Sequence, residues 1–303
     1  MIRCPMTTPT PKYPTTGMCD GTLLEAFEPT TRPTDVFCAT AAKSGQTWLL
    51  TLLHHLRTQG QDPALQDGLA AAAPWLELPK NLSTGELYQR HERLALFDAL
   101  PDPRVFKMHV LWDEIPRARD SGAKVITVTR DPRDLPYSMY RHFQALRDDF
   151  DDDFDTYFET WMSFGYVFKF VRSIWPHRHD PDFLWLRYGD MKSDLCTEIG
   201  KILSFTGWPS TEDSRARVLP LVDFGHMQKR EDTKALTHGD LTQNKRGRFF
   251  REGGVGKNRA RLSAEQEARI VARGREAFEP ECFDFVFSQG SERFPVAPGT
   301  PTH

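Results

Sequence analysis

The chain predicts an α/β fold, a single domain with a central parallel sheet and helices on both faces. Three observations predict it. Short, continuous apolar runs rich in β-branched and aromatic residues alternate with amphipathic ones. The first of these runs ends in a small-residue turn from which an amphipathic segment opens, the signature of a strand, a loop and a helix N-terminus. No period of internal repetition interrupts the alternation. In chain order the strands are VFCATA at 36–41, VFKMHV at 105–110, KVITVT at 124–129 and DFLWLRY at 182–188. Helices are expected at about 46–58, 131–146 and 190–206, covering both faces as continuous apolar strands require. Ligands of such sheets sit beyond the carboxyl ends of the strands. Lys43, His109 and Arg130 each follow a strand directly and are expected to converge there.

Composition bounds the organisation. The 303 residues, 39% hydrophobic and 27% charged, suit one large domain placed at 22–288. The flanks 1–21 and 289–303 are rich in Pro, Gly, Ser and Thr and are expected to be flexible. A formal net charge of −3 offers no bulk attraction to nucleic acid or acidic membranes, so neither is expected as a partner. No run approaches the roughly 20 apolar residues of a membrane span, and the first residues lack a signal-peptide core. Five scattered cysteines, without metal-ligand spacing, suit a reducing compartment; a cytoplasmic location and no bound metal are the expectations. The acidic run DDFDDDFD at 148–155 is read as a solvated helix cap, and HRHD at 177–180 lacks further ligands at zinc spacing.

The stretch DVFCATAAKSGQTWLL at 35–50 carries the first chemistry. Unpaired N–H groups at a helix start, together with the helix dipole, favour an anion. Lys43 adds a full positive charge, and Ser44, Gln46 and Thr47 add short side-chain donors, so a phosphate or sulfate group is expected here. The nucleoside triphosphate cradle would need Gly at 40 and Lys at 46, where Thr and Gln stand.

The loop instead resembles the phosphosulfate loop of the cytosolic-type sulfotransferases, K-S-G-T-T-W. Lys43, Ser44, Gly45, Thr47 and Trp48 match it, and Gln46 departs. VFKMHV resembles the family's K-T-H element, which makes His109 the catalytic base and Lys107 its assistant, with Met108 in place of Thr. KVITVTRDPRDLPYS resembles the second nucleotide element, in which Arg130 and Ser138 hold the donor's 3′-phosphate. Asp131 there reads as a helix N-cap and Pro132 as a first-turn residue. YGDMK at 188–192 and VDFGHMQK at 222–229 resemble the segments around the adenine, giving Tyr188, Phe224 and Met227 base contacts, with Trp48 on the other side of the ring. RFFREGGVGKN at 248–258 resembles the loop that closes on the 3′-phosphate. Arg251, Gly253 and Gly256 match it, Glu252 replaces a lysine, and the D-W pair is absent. The basic stretch 229–248 reads as a lid over the donor.

The resemblance implies a sulfotransferase that uses 3′-phosphoadenosine 5′-phosphosulfate (PAPS) as donor, needs no metal, and takes a hydroxyl or amine of a small molecule. The site set is Lys43, Lys107 and His109 for catalysis. For the donor it is Lys43, Ser44, Gly45, Gln46, Thr47, Trp48, Arg130, Ser138, Tyr188, Phe224, Met227, Arg251, Glu252 and Gly253. The acceptor is expected to have an apolar or aromatic body, Trp75, Tyr88, Phe143, Tyr157 and Phe164 being candidate walls. Two other classes fit the loop: a nucleotide kinase or related phosphoryl transferase, and a non-catalytic binder of adenosine 3′,5′-bisphosphate (PAP). Magnesium-dependent ATP turnover would mark the first, and His109 with Lys43 argues against the second. The oligomeric state is not readable from the sequence.

Overall fold

Four apolar runs pair as parallel strands because each is covered on both faces. The computed structural model describes residues 18–62, 65, 68–81, 84–117, 121–146, 150–231 and 253–288. Among them the strands are β1 (Val36–Ala39), β2 (Val105–Met108), β3 (Lys124–Thr129) and β4 (Phe183–Arg187), in the order β2-β1-β3-β4. All three pairings are parallel, with Val36 opposite Val105 and Lys124. Alternate side chains divide into two cores, as the period-two geometry of strands demands. Phe37, Ala39, Phe106, Met108 and Val125 pack against helices Gly21–Phe27, Arg90–Asp98, Tyr166–Ile174, Ala264–Ala277 and Pro280–Phe287. Val36, Cys38, Val105, Ile126, Val128 and Leu186 pack against Gln46–Arg57, Leu195–Thr206 and Glu212–Leu221. The predicted sheet, covered on both sides, is what forms.

The element ends differ from expectation in ways the local chemistry explains. β1 stops at Ala39 and the backbone turns into the phosphate loop. The helix expected from 131 opens as a tight turn, Pro132–Asp134, before Leu135–Leu146, and Asp131 caps it by accepting the Arg133 N–H. The helix expected over 190–206 is two, Tyr188–Ser193 and Leu195–Thr206. Between them Asp194 leaves the helical conformation and accepts the Thr197 N–H, a local bond that competes with helix continuation. Asp153 caps Phe154–Phe164, in line with the reading of the acidic run. At the N-terminus the packed chain starts ahead of residue 22: Cys19 is buried and Asp20 caps helix Gly21–Phe27. No helix among the described residues is long and apolar enough to cross a membrane.

At the amino edge of the sheet lies a fully buried ion pair. Asp35 and Arg104, immediately ahead of β1 and β2, have no exposed side-chain surface. Arg104 donates from Nε to Asp35 Oδ1 at 2.7 Å and from Nη2 to Oδ2 at 2.5 Å. Its remaining donors reach the Phe97 and Thr30 carbonyls at 3.3 and 2.9 Å. The pair holds the two strands in register from their starts. Removing one member strands the other charge in the core, which costs about 3–5 kcal/mol. Asp35→Ala is therefore expected to lower the unfolding free energy by about that amount, seen in urea denaturation as a lower midpoint at unchanged slope.

Candidate active site

The phosphate loop is shaped by two residues in the left-handed region, Lys43 at φ 68° and Gly45 at φ 107°. Gly45 precedes helix Gln46–Arg57, whose first N–H groups carry no side-chain cap and face the loop. Glycine is required at 45 twice over: by its φ, and because a Cβ there would come within 2.7 Å of the Tyr188 ring. The loop therefore fits against the ring of Tyr188, with Ser44 buried beneath.

Gln46, the departure from the family pattern, has a different task from the one expected of its side chain. Its Nε2 donates to the Cys38 and Met108 carbonyls, both at 2.8 Å. Both amide hydrogens are used inside the fold, bracing the helix start against the carboxyl ends of β1 and β2, so the side chain has no donor left for a bound anion. Met227, expected at the base, is buried in the core beneath that region.

Around the loop, several of the other residues expected at the donor lie near one another. Trp48 and Tyr188 meet edge to face at 5.7 Å, and Trp48 Nε1 donates to the Val222 carbonyl at 3.0 Å. The Lys192 ammonium lies 5.5 Å from the ring centres of both Trp48 and Phe224. The Phe224 ring in turn lies against Gly253, where a Cβ would approach it to 2.3 Å. Arg130, nearly buried, sets its guanidinium 4.7 Å over the Tyr188 ring. Its Nη2 donates to the Gly254 carbonyl at 2.8 Å and lies 3.3 Å from Asp134 Oδ2. Asp134 accepts the N–H groups of Gly256, Asn258 and Arg259 at 2.8–3.1 Å, tying the closing loop to the arginine. Arg130 Nε is buried with no hydrogen-bond partner among the described residues, a donor whose environment suits an anion. Ser138 is buried on the helix Leu135–Leu146. Arg251, Glu252 and most of the basic stretch lie outside the described residues.

The catalytic candidates sit where β2 ends. Lys107 is buried, its Nζ 3.8 Å from the centre of the Trp75 ring. Trp75 is held there because its own segment pairs in parallel with β2: Leu76 N–H donates to the Lys107 carbonyl and Lys107 N–H to the Pro74 carbonyl. His109 is half-buried, with its ring 5.1 Å from that of Trp75. Its Nδ1 lies 2.8 Å from the Thr40 carbonyl, which only accepts, so Nδ1 carries the proton and Nε2 keeps a lone pair. Burial first, then the nearby Lys107 and Lys43 charges, hold its pKa well below the ordinary histidine range, so the ring is neutral at neutral pH.

Glu77 escaped the sequence reading. Its Oε1 accepts the Trp75 indole N–H and the His109 backbone N–H, both at 2.6 Å. Burial raises its carboxyl to about 7, opposed by those bonds and by Lys107. Burial likewise lowers Lys107 to about 7, opposed by Glu77. The available signal was a lone carboxylate inside the apolar stretch PWLEL. Of the other aromatic candidates, Tyr157 is buried among Tyr140, Phe143 and Phe150, Tyr88 lies under Arg93, and Phe164 is exposed.

Comparison with known proteins agrees with this geometry. The family described as "Sulfotransferase domain" matches residues 33–279. Mouse sulfotransferase 4A1 is 31% identical over 217 residues, covering 69% of this chain and 71% of that protein. Human sulfotransferase 1E1 is 26% identical, covering 77% and 79%. The solved structure of mouse sulfotransferase SULT7A1 complexed with PAP superposes with a TM-score of 0.67 at 20% identity, covering 86% of this chain and 92% of that one, a likeness of fold. The chain belongs to the sulfotransferase family: it is a divergent member of the cytosolic type and a PAPS-dependent sulfotransferase. That sets aside the kinase reading of the loop.

Gly253 offers a test of the aromatic platform. Gly253→Ala would drive a methyl group into the Phe224 ring at a φ of 57°. PAP affinity measured by calorimetry is expected to fall about tenfold, the equivalent of about 1.4 kcal/mol, as the ring is pushed off its position.

Proposed function

We propose that the loop at 43–48, with Arg130 and Ser138, holds the two phosphate ends of PAPS, and that His109 activates a small-molecule hydroxyl or amine for sulfuryl transfer. The observation that carries the reading is the tautomer of His109. A ring held by Thr40 at Nδ1 offers Nε2 as a base beside a lysine and a phosphate loop. The acceptor proton passes to Nε2 as the acceptor atom bonds to sulfur. The bond from sulfur to the bridging oxygen breaks, and its electrons stay with the 5′-phosphate. Lys43 and the N–H groups of the helix start neutralise that oxygen, and Lys107 stands by the transferred group. The reading gives the charge neutralisation to the chain's own cations; a cytoplasmic location is proposed separately, on the reducing compartment that the five scattered cysteines suit.

For the acceptor we infer an apolar or aromatic body. Trp75 and Tyr166 flank His109: the indole meets the imidazole ring and the Tyr166 hydroxyl donates to the His109 carbonyl at 2.7 Å. Two related proteins fit the inference, one a luciferin sulfotransferase of Photinus pyralis and the other retinol dehydratase in a complex with retinol and PAP. A radiolabelled-donor screen across phenols, steroid alcohols and retinoids tests it. Labelling of none of these, with transfer to a polar sugar instead, would overturn it.

Two substitutions test the roles. His109→Ala is expected to lower turnover by roughly two to four orders of magnitude, the usual share of general base catalysis, with PAP affinity nearly unchanged. Arg130→Ala is expected to erase most of the preference for PAP over adenosine 5′-phosphate, since a charge-assisted contact contributes about 1.5–3 kcal/mol. Equal affinity of the unaltered protein for the two nucleotides would remove the 3′-phosphate assignment.

A further inference from the structure

Glu77 is a buried ionisable group beside the catalytic pair to which the mechanism above gives no task. Glu77 has almost no exposed surface. Its Oε1 holds two donors, the Trp75 indole and the His109 backbone. Its Oε2 is buried with no hydrogen-bond partner among the described residues. A carboxylate with one oxygen unsatisfied is costly to keep in a core unless a positive charge faces it. Lys107 is the cation that shares its surroundings: its Nζ lies over the Trp75 ring whose indole N–H Glu77 accepts, and the two groups oppose each other's neutralisation. The other groups facing this cluster are Cys38 on β1, Cys19 near the N-terminal helix, Glu114 after β2, Tyr166, and Arg93, whose Nη2 donates to the Trp75 carbonyl at 2.6 Å.

The geometry points to Glu77 as the positioning residue of the catalytic pair: one carboxylate oxygen fixes the indole under Lys107 and the backbone of His109, while its negative charge keeps Lys107 an ammonium. This rests on the roles proposed for Lys107 and His109. A neutral amine beside the transferred group would lose the attraction for developing negative charge. The sign follows from the surroundings. Burial favours the neutral amine and Glu77 opposes it, so removing the carboxylate lets Lys107 lose its proton at lower pH. Histidine protonation adds no competing limb near neutrality, because burial and the two lysines hold His109 neutral.

Glu77→Gln separates this from a purely structural role, because a glutamine Oε1 accepts the same two N–H groups while the charge is lost and an amide nitrogen takes the place of the unpartnered Oε2. The measurement is kcat/KM for the donor against pH, which reports groups of the free enzyme. The alkaline limb is expected to move acidward by about one pH unit in Glu77→Gln, with PAP affinity by calorimetry within twofold of the unaltered protein. In Lys107→Arg the limb should vanish, because a guanidinium stays charged across the range, and adding Glu77→Gln to it should shift nothing further. Superimposed alkaline limbs for the unaltered protein and Glu77→Gln would overturn the proposal. So would a limb unmoved in Lys107→Arg, which decides the matter even if Glu77→Gln fails to fold. Failure of the underlying reading looks different: His109→Ala would then keep full turnover.

Discussion

The side-chain amide of Gln46 is the interaction on which the site depends. One nitrogen bonds the Cys38 and Met108 carbonyls, at the carboxyl ends of two adjacent strands, while its own backbone starts the helix after the phosphate loop. Three pieces of chain, one of them 62 positions away, are thereby joined through one nitrogen. Lys43 in the loop and His109 beyond β2 acquire their relative positions from it, and the Thr40 carbonyl that selects the His109 tautomer lies between them. A shorter residue at 46 would take that donor from both carbonyls, leaving Met108 with the Thr40 N–H at 3.2 Å, and each lost bond costs about 0.5–1.5 kcal/mol.

Much of this was legible in the sequence. Continuous apolar runs gave four parallel strands, and the residues directly after them gave the site edge, because both follow from local chain chemistry. What stayed hidden depends on contacts between distant segments. Gln46 shows two donors in the sequence, and nothing there tells whether they meet a ligand or two carbonyls 8 and 62 positions away. Met227 has the right spacing from Phe224, yet its side of a short helix is packed into the core. Asp194 breaks a helix that periodicity alone would continue. Glu77 lies 32 residues before His109 and reaches it because an irregular segment pairs with the edge of β2, a pairing that carries no periodic signal.

The two ends of the sheet are stabilised by different means. At the amino end a fully enclosed ion pair satisfies its own donors and acceptors and leaves nothing for a ligand. At the carboxyl end the buried Arg130 Nε, Glu77 Oε2 and Thr40 hydroxyl have no hydrogen-bond partner among the described residues. Burial moves Lys107, Glu77 and His109 away from their charged forms, and only specific neighbours oppose it. That contrast is the physical difference between a part of the fold that is finished and one that is complementary to something else.

The Lys192 ammonium over Trp48 and Phe224 bears on how nucleotides are told apart. The two rings have a π partner in that cation, an exposed contact contributing about 0.5–1 kcal/mol. On the reading that an adenine is taken at these rings, it trades one π partner for another, and the stacking it gains, about 1–3 kcal/mol per base in general, is partly cancelled by the cation it moves. Discrimination among purines is then shallow, and on the proposed function selectivity falls to the ends of the ligand that Arg130 and the loop amides would hold. On that reading the protein tells nucleotides apart by where their phosphates are attached more than by which base they carry.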